Sequence, residues 1–327
     1  MVCAGVSVGV SVGVSRGVSG AGLRFRWRFG LIMGGNITYA ASPRYVRTNS
    51  MPELPEVETV RRGLEPALLG RVLSRVSVRR RKLRIPIPDD FEALVAGRRV
   101  TSLTRRAKFL LIHLDGGNCV IVHLGMSGRF LVFTDTPPEP GPHDHVIFET
   151  DKGAVACFND PRRFGFIDLT PTDALDGHRF LRRLGPEPLG NAFSPDLLGE
   201  RLAGRSGPIK TVLLDQSVVA GIGNIYACEA LFRAGISPRR KASSIRGVRL
   251  NRLAAAIRDV LVDAIDAGGS SLRDHRQPSG ESGYFQHHFA VYGRAGEPCP
   301  DCDCVERAVR RFAQSGRSTF YCAHRQR

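Results

Sequence analysis

The chain has 327 residues, with 47 lysines and arginines against 31 aspartates and glutamates, a formal net charge of +16. This excess favours a polyanion or a membrane surface as the partner, while no uninterrupted apolar run reaches the length that spans a bilayer. The length suffices for two core-bearing domains and an appendage, and four of the eight cysteines fall within the last 29 residues, which indicates reduced thiols and one metal site rather than a secreted disulfide scaffold.

Residues 1–50 differ in composition from the rest of the chain. Positions 2–22 are almost wholly Val, Gly, Ser and Ala, and the segment has six arginines and no acidic residue. Such a composition is typical of an organelle transit peptide, but a start codon chosen too far upstream explains it equally well. We favour the second interpretation and expect this low-complexity extension to lie outside the folded domains.

The next stretch combines a helix start with an unusual pair of residues. Pro55, followed by Glu56 and Glu58, suits the first turn of a helix, because proline has a fixed φ and the acids face the positive end of the helix dipole. If the mature chain began at Pro52, its secondary amine beside the Glu53 carboxylate would suit Schiff-base chemistry on a sugar carbon. The alternative is that this pair only leads into the helix, and these residues alone favour that alternative.

Residues 71–170 predict a β-sandwich, because short apolar runs alternate with polar residues and are separated by Gly, Pro and Asp. The expected strands are Val72–Val78, Lys108–Leu114, Cys119–Leu124, Arg129–Phe133, His145–Glu149, Ala154–Asn159 and Phe166–Leu169.

Turn signals at 171–194 predict an interdomain linker, since two prolines and a glycine within five residues cannot continue a helix. The following residues predict four helices. The first starts after Ser194, and the other three cover Ile209–Asp215, Asn224–Ala234 and Leu250–Ala267. Residues 268–290 are rich in Gly, Ser and Arg and predict a mobile loop.

Eight motifs occur in order along the chain: MPELPEVET at 51–59, RRAKFLL at 105–111, HLGMSG at 123–128, HDHV at 143–146, DPRRFG at 160–165, LGPEPL at 184–189, GIGNIYACEALF at 221–232, and YGRAGEPC…GRSTFYC at 292–322. Together these motifs resemble those of the bacterial formamidopyrimidine-DNA glycosylases, bifunctional lyases that remove oxidised purines. The resemblance covers residues 51–327 nearly end to end.

The resemblance implies an α+β fold in three parts: a catalytic β-sandwich flanked by helices at 51–182, a helix–two-turn–helix domain with a lesion-recognition loop at 183–290, and a zinc β-hairpin at 291–327. It implies a monomer that binds double-stranded DNA containing oxidised purines, needs no redox or nucleotide cofactor, has no membrane association, and works in the bacterial cytoplasm at the nucleoid.

The resemblance also implies residue roles. Pro52 is the nucleophile and Glu53 the acid/base, while Lys108 and Arg317 assist the β- and δ-eliminations. Three further residues fill the space left by a flipped nucleotide, whose unstacking costs a few kcal/mol: Met126, Arg162 and Phe164. Three more bind phosphates: His143, Lys210 and Asn224.

The metal site departs from the family pattern. The family has two cysteine pairs, but Arg325 stands where the last cysteine is expected. We expect one structural zinc per chain, completed from Cys299, Cys322 and two of the remaining candidates, which are Cys302, Cys304 and His324. The alternative is a hairpin held by packing without metal.

Two other functions remain open. An endonuclease VIII-type glycosylase would act on oxidised pyrimidines, although Leu54-Pro55 after Pro52-Glu53, together with HLGMSG and DPRRFG, favours the purine enzyme. A catalytically dead, lesion-binding protein results if residues 1–50 stay attached, because the Pro52 nitrogen is then part of a peptide bond.

Overall fold

The computed structural model describes residues 51–270, 285–302 and 308–327. The extension at 1–50, most of the expected lesion-recognition loop and Cys304 lie outside these residues. None of the helices in the described ranges has the length and apolar character that crossing a membrane requires.

The described helices are α1 (Leu54–Leu68), α2 (Phe91–Val95), α3 (Pro195–Leu202), α4 (Ile209–Leu213), α5 (Asn224–Ala234) and α6 (Val248–Asp266). The described strands are β1 (Leu73–Val78), β2 (Val100–Arg106), β3 (Phe109–Leu114), β4 (Asn118–His123), β5 (Arg129–Phe133), β6 (Asp144–Thr150), β7 (Val155–Asn159), β8 (Phe166–Pro171), β9 (Arg310–Gln314) and β10 (Arg317–Tyr321). Short 3-10 turns cover Thr172–Ala174, Ala242–Ser244 and Phe285–His288.

Two four-stranded antiparallel sheets form the expected sandwich. One has the strand order β1-β6-β7-β5 and the other has β2-β3-β4-β8. Their inner faces share a core in which Phe130, Phe148 and Phe158 are almost fully buried. Helix α1 adds Val60 and Leu64 to this core, and its buried residues form one apolar face.

The strand predictions were wrong at the second strand. β2 and α2 were not predicted, because only Val100 and Leu103 of β2 are buried and its remaining residues break the two-residue alternation of a strand. Lys108 is not a strand residue: Arg106 pairs with Phe109, so Lys108 lies in the two-residue turn between β2 and β3.

The helical half has its own core around the buried Tyr226 and Phe232 of α5. The apolar face of α6 is buried there, including Leu253, Ile257 and Leu261. Leu54, the first residue of α1, also belongs to this core, and its amide donates to the Gly221 carbonyl at 3.1 Å. The start of α1 is therefore fixed against the turn that precedes α5.

The C-terminal hairpin β9–β10 packs against the helical half. Phe320 meets Tyr292 edge to face with ring centroids 5.0 Å apart, and the Arg239 guanidinium lies 4.1 Å from the centroid of Phe312. The hairpin turn contains Gly316, whose φ of +73° favours glycine, and this turn places Arg317 at the tip.

Candidate active site and metal centre

A cleft of about 980 Å³ lies where the sandwich, the helical half and the hairpin meet. The sandwich contributes Lys108 and Met126 to its walls, α5 contributes Asn224, and the hairpin contributes Arg317. Met51 and Glu53 line the same cleft, with the buried Pro52 between them. The structure thus brings together the residues for which the sequence predicted catalytic roles.

Glu53 lies at the N-terminal end of α5, although it belongs to the start of α1. Its carboxylate accepts hydrogen bonds from the amides of Gly223 at 2.7 Å, Ile225 at 2.9 Å and Tyr226 at 3.4 Å. These amides are among the first of a helix, which have no partner within it, and they are oriented to bind an anion. The Glu53 carboxylate is therefore held in one position relative to the cleft.

Burial raises the pKa of Glu53 from 4.5 to about 7, although the neighbouring Lys108 ammonium and the α5 amides favour the charged form. A carboxyl group with this pKa can hold or release a proton near neutral pH, which general acid/base catalysis needs. Burial also lowers the pKa of Lys108, against the opposing effect of Glu53 and Glu56.

Gly223 makes this close arrangement possible. A methyl group on its Cα would lie 2.7 Å from the Lys108 Nζ and would collide with the Glu53 carboxylate. No side chain fits in that space, so the backbone of the turn itself forms one wall of the acid–lysine pair.

A second buried acid, Glu56, was interpreted from the sequence only as a helix-start residue. Its carboxylate accepts the Glu53 amide at 2.9 Å, a bond that is typical of a helix start. It also accepts the Tyr226 hydroxyl at 2.6 Å and the Ser270 amide at 2.9 Å. Glu56 therefore joins three separate parts of the chain beneath the cleft, and only the tertiary fold reveals these partners.

Lys210 and Asn224 connect the helical half to the hairpin. The fully buried Lys210 donates to the Asn224 side-chain oxygen at 2.5 Å, and the Asn224 amide group donates to the Ser318 carbonyl at 3.0 Å. Ser318 follows Arg317 at the hairpin tip. Lys210 and Asn224 are thus near the cleft. Lys210 is enclosed, however, and its direct contact with a phosphate stays a prediction.

The three residues predicted to fill the flipped-out space lie on two adjoining loops. Gly125, which precedes Met126, is so close to the backbone of Phe164 and Gly165 that a methyl group would collide there. The Asp160 carboxylate accepts the Ser127 hydroxyl at 2.5 Å and the Gly165 amide at 2.8 Å, which joins the loops.

The side chains on these loops are available to a ligand. Met126 is half-buried and lines the cleft, Phe164 is 44% exposed, and the Arg162 guanidinium lies 4.8 Å from the Phe164 ring centroid. His143 is exposed beside the same loop, where its carbonyl accepts the Asp160 amide at 3.0 Å.

His123 of HLGMSG was not singled out from the sequence, yet it lines the cleft. Its ring stacks on Phe166, and its Nδ1 accepts the Gly125 amide at 3.0 Å. Burial, with the nearby Lys108 and Arg84 charges, lowers its pKa to about 4, so the ring is neutral at pH 7.

Three thiols converge at the base of the hairpin. The Sγ atoms of Cys299, Cys302 and Cys322 all lie within 4.8 Å of one another, and the last two are 3.5 Å apart. This donor set fits three of the four positions of a tetrahedral zinc site. The His324 imidazole is exposed and is not part of this group of three, and Cys304 lies outside the described residues.

Arg325, at the expected position of a fourth cysteine, has other partners. Its guanidinium pairs with Asp301 at 3.3 Å and lies 4.9 Å from the Phe232 ring centroid, while its Nε donates to the Phe232 carbonyl at 3.3 Å. These contacts fix the end of the chain to α5 by polar and ring interactions instead of a metal–sulfur bond.

Two family models match the chain: the formamidopyrimidine-DNA glycosylase N-terminal domain over residues 51–167, and the H2TH domain of the same glycosylase over residues 184–276. Proteins named formamidopyrimidine-DNA glycosylase from Rhodospirillum centenum and Rhodospirillum rubrum are 60% identical over 290 residues and 59% identical over 281 residues, and each match covers 85% of this chain and 100% of the relative.

Solved structures show the same relationship. The MutM (Fpg) protein of Thermus thermophilus superposes with a TM-score of 0.75 at 43% identity, covering 84% of this chain and 98% of that one. The Lactococcus lactis Fpg (MutM), in complex with DNA that contains N7-benzyl-Fapy-dG, superposes with a TM-score of 0.76 at 32% identity, covering 84% of this chain and 100% of that one.

Proposed function

The chain belongs to the formamidopyrimidine-DNA glycosylase family, and on that premise we propose that it is a base-excision repair enzyme that removes oxidised purines from duplex DNA and then cleaves the abasic strand. The observation that carries this proposal is the buried Glu53, with its pKa raised to about 7, held by the amides of α5 next to Pro52 and within the cleft. The relatives named for formamidopyrimidine excision are 54–60% identical to this chain, so the oxidised-pyrimidine alternative is not favoured.

Pro52 is the nucleophile in this proposal. Its nitrogen forms a bond to C1′ of the sugar while the bond from C1′ to the damaged base breaks. A secondary amine then gives a cationic iminium once the sugar ring opens, and this cation accepts the electrons released during strand cleavage. The reaction requires a free amine, because an amide nitrogen has no available lone pair and an α-amino group with a pKa near 8 is partly neutral at pH 7.

Glu53 supplies the proton to the sugar oxygen as the ring opens. A carboxyl group with pKa about 7 is protonated in a large fraction of molecules at neutral pH, so it can act without an external acid. Lys108 lies in the same cleft and Arg317 lies at its hairpin edge, where their charges can assist the two eliminations at the flanking phosphates.

DNA binding uses the remaining predicted residues. Met126, Arg162 and Phe164 fill the space of the flipped nucleotide, which an apolar wedge with a guanidinium can do, while His143, Lys210 and Asn224 secure the phosphates. We assign this work to a monomer with the domain boundaries 51–182, 183–290 and 291–327, acting on the DNA of the bacterial cytoplasm. Duplex DNA with an oxidised purine is thus the proposed partner.

Zinc is the proposed structural ion. Cys299, Cys302 and Cys322 would hold it, and it would supply no chemistry to the reaction but would fix the base of the hairpin that carries Arg317. Position 325 contributes no thiolate, so we propose His324 or Cys304 as the fourth donor.

The test is covalent trapping with borohydride on an 8-oxoguanine·C duplex. We expect protein that begins at Pro52 to be trapped and the 327-residue chain, in which Pro52 is an amide, not to be trapped. A full-length chain that traps equally well, with its N-terminus verified by mass spectrometry, contradicts the role of Pro52. A Pro52-start protein that cleaves a thymine glycol duplex but not 8-oxoguanine would instead identify the pyrimidine enzyme.

A further inference from the structure

The turn that carries Lys108 has an unfavourable backbone conformation. Ala107 has a φ of +54°, in the left-handed region that favours glycine, while Lys108 after it has a negative φ. In a two-residue hairpin turn, a positive φ at the first position alone is the pattern of a type II′ turn, and that position is normally Gly. An alanine there persists only when the surrounding contacts hold it in place.

Glu187, in the linker between the two domains, supplies those contacts. One of its carboxylate oxygens accepts the Ala107 amide at 2.5 Å and the Arg106 guanidinium at 2.9 Å. The other accepts the Arg105 guanidinium at 2.8 Å, and the same Arg105 nitrogen donates to the Ala107 carbonyl at 3.0 Å. Both peptide polar groups of the strained residue are therefore held by one network, which we call the Glu187 network: Arg105, Arg106, Ala107 and Glu187.

The Glu187 network also joins the two halves of the protein. The second Arg106 nitrogen donates to the carbonyls of Leu184 at 3.0 Å and Gly185 at 2.7 Å in the linker. Arg105 lies 3.4 Å from the Glu58 carboxylate of α1. Charge-assisted bonds between part-buried groups are stronger and more directional than exposed ion pairs, so this network can fix both the turn and the linker.

We propose that Glu187 is a positioning residue for Lys108: by holding the strained Ala107 turn against the interdomain linker, it directs the Lys108 ammonium into the cleft beside Glu53. The inference rests on the proposed role of Lys108 in the eliminations. It extends the active site to a linker carboxylate that is not among the residues lining the cleft.

A double-mutant cycle tests this role in protein that begins at Pro52. The variants are E187A, K108A and the double variant, and the assay is single-turnover cleavage of a duplex with a preformed abasic site. We expect E187A to slow cleavage by about 10- to 100-fold, and to slow it by less than about 2-fold when Lys108 is already alanine, because residues that act through one group are not additive. Equal effects of E187A in both backgrounds overturn the proposal.

A rescue experiment separates positioning from general destabilisation. Glycine adopts the φ of +54° without strain, so Ala107→Gly in the E187A background should recover at least 5-fold of the lost rate. E187Q, which keeps one acceptor oxygen, should fall between the wild type and E187A, and serves if E187A does not fold. The proposal is also overturned if neither the A107G/E187A double variant nor E187Q cleaves faster than E187A.

The control is E200A, which removes an exposed glutamate of α3 and should leave the rate unchanged. Borohydride trapping of each variant at Pro52 is measured in parallel. Wild-type protein that traps, but whose rate does not depend on Lys108, would reject the positioning role while leaving the glycosylase proposal intact. Wild-type protein that neither traps nor cleaves would reject the proposed function itself.

Discussion

The Gly223 amide donates to the Glu53 carboxylate at 2.7 Å, so an acid from the start of the folded chain is bound 170 residues later, at the turn that leads into α5. Two physical effects oppose each other at this contact. The amides at the start of α5 favour the charged carboxylate, whereas burial favours the neutral acid, and burial is the larger effect. The result is an acid that is held firmly yet exchanges its proton near neutral pH.

The first prediction concerns Gly223→Ala. The added methyl group would collide with the Glu53 carboxylate and lie 2.7 Å from the Lys108 Nζ, so both groups must move. We expect the rate of 8-oxoguanine excision to fall by at least 100-fold, which corresponds to about 2.7 kcal/mol of transition-state stabilisation. The matched control is Gly177→Ala, whose added methyl group meets only ordinary contact at 3.7 Å and should leave the rate unchanged. Full activity in G223A would show that Glu53 and Lys108 do not need this packing.

The second prediction is the pH dependence of base excision. If Glu53 must be protonated to act as the acid while Pro52 must be neutral, the single-turnover excision rate at saturating enzyme should pass through a maximum between the two pKa values, about 7 for Glu53 and about 8 for Pro52, and fall at higher pH. The Pro52 amine, with a pKa near 8, must be neutral and therefore limits the rate on the acidic side. An excision rate that stays constant from pH 6 to pH 9 would contradict the acid role of Glu53.

The third prediction is the effect of the same group on stability. Because the folded-state pKa of Glu53 lies above its ordinary 4.5, the stability that its proton confers is complete below pH 4.5 and is lost as the pH rises to about 7. E53Q cannot ionise. The free energy of unfolding of E53Q, relative to that of the wild type, should therefore increase between pH 4.5 and about 7 and stay constant above that range. At about 1.4 kcal/mol per pKa unit, the ceiling of this gain is about 3 kcal/mol.

Denaturant unfolding of both proteins at pH 5, 6, 7 and 8 measures the third effect. The observable is how the difference in free energy of unfolding between E53Q and the wild type changes with pH. Its absolute value is not used, because glutamine also places an NH₂ group opposite an α5 amide, which costs stability at every pH. A difference that does not change between pH 5 and 7 would mean that Glu53 titrates at its ordinary pKa.

The fourth prediction concerns Arg162→Ala. The Arg162 side chain is exposed beside Phe164 and should act only when a nucleotide has left the stack. We expect 8-oxoguanine excision to fall more than affinity for undamaged duplex, with no change in the salt dependence of binding. An equal loss of affinity on all DNA, with a smaller salt slope, would identify a phosphate contact instead.

The sequence predicted most of the fold and several of the residues that line the cleft, and the family match confirmed the resemblance from which the predicted roles were taken. It could not predict the partners of Glu56. An acid in the first turn of a helix is already explained by the helix dipole, and its bonds to Tyr226 and Ser270 cross 170 and 214 positions. It also missed β2, because only two of its seven residues are buried, and with it the turn position of Lys108.

The Arg325 substitution was visible in the sequence, but its consequence was not. Sequence shows that a thiol is absent, whereas the structure shows the replacement contacts of the guanidinium with Asp301 and Phe232. The sequence left open how the remaining cysteines are arranged, and the structure brings three of them together.

The last prediction concerns that metal site. We expect about one zinc per chain in protein that begins at Pro52. We also expect Cys322→Ser to lose both the zinc and the DNA binding, because metal binding contributes folding energy to the hairpin that carries Arg317. Arg325→Cys adds a thiolate three residues after Cys322 and so restores the Cys-x2-Cys spacing of the family's second pair. We expect it to slow zinc release to a chelator by at least about 10-fold. Arg325→Gln is the matched control, since it removes the Asp301 ion pair without adding a ligand. Elemental analysis and a chelator time course, with the unfolding midpoint of each variant, give the measurements. A metal-free preparation that cleaves lesion DNA at the full rate would establish that packing and the Arg325 contacts hold the hairpin by themselves.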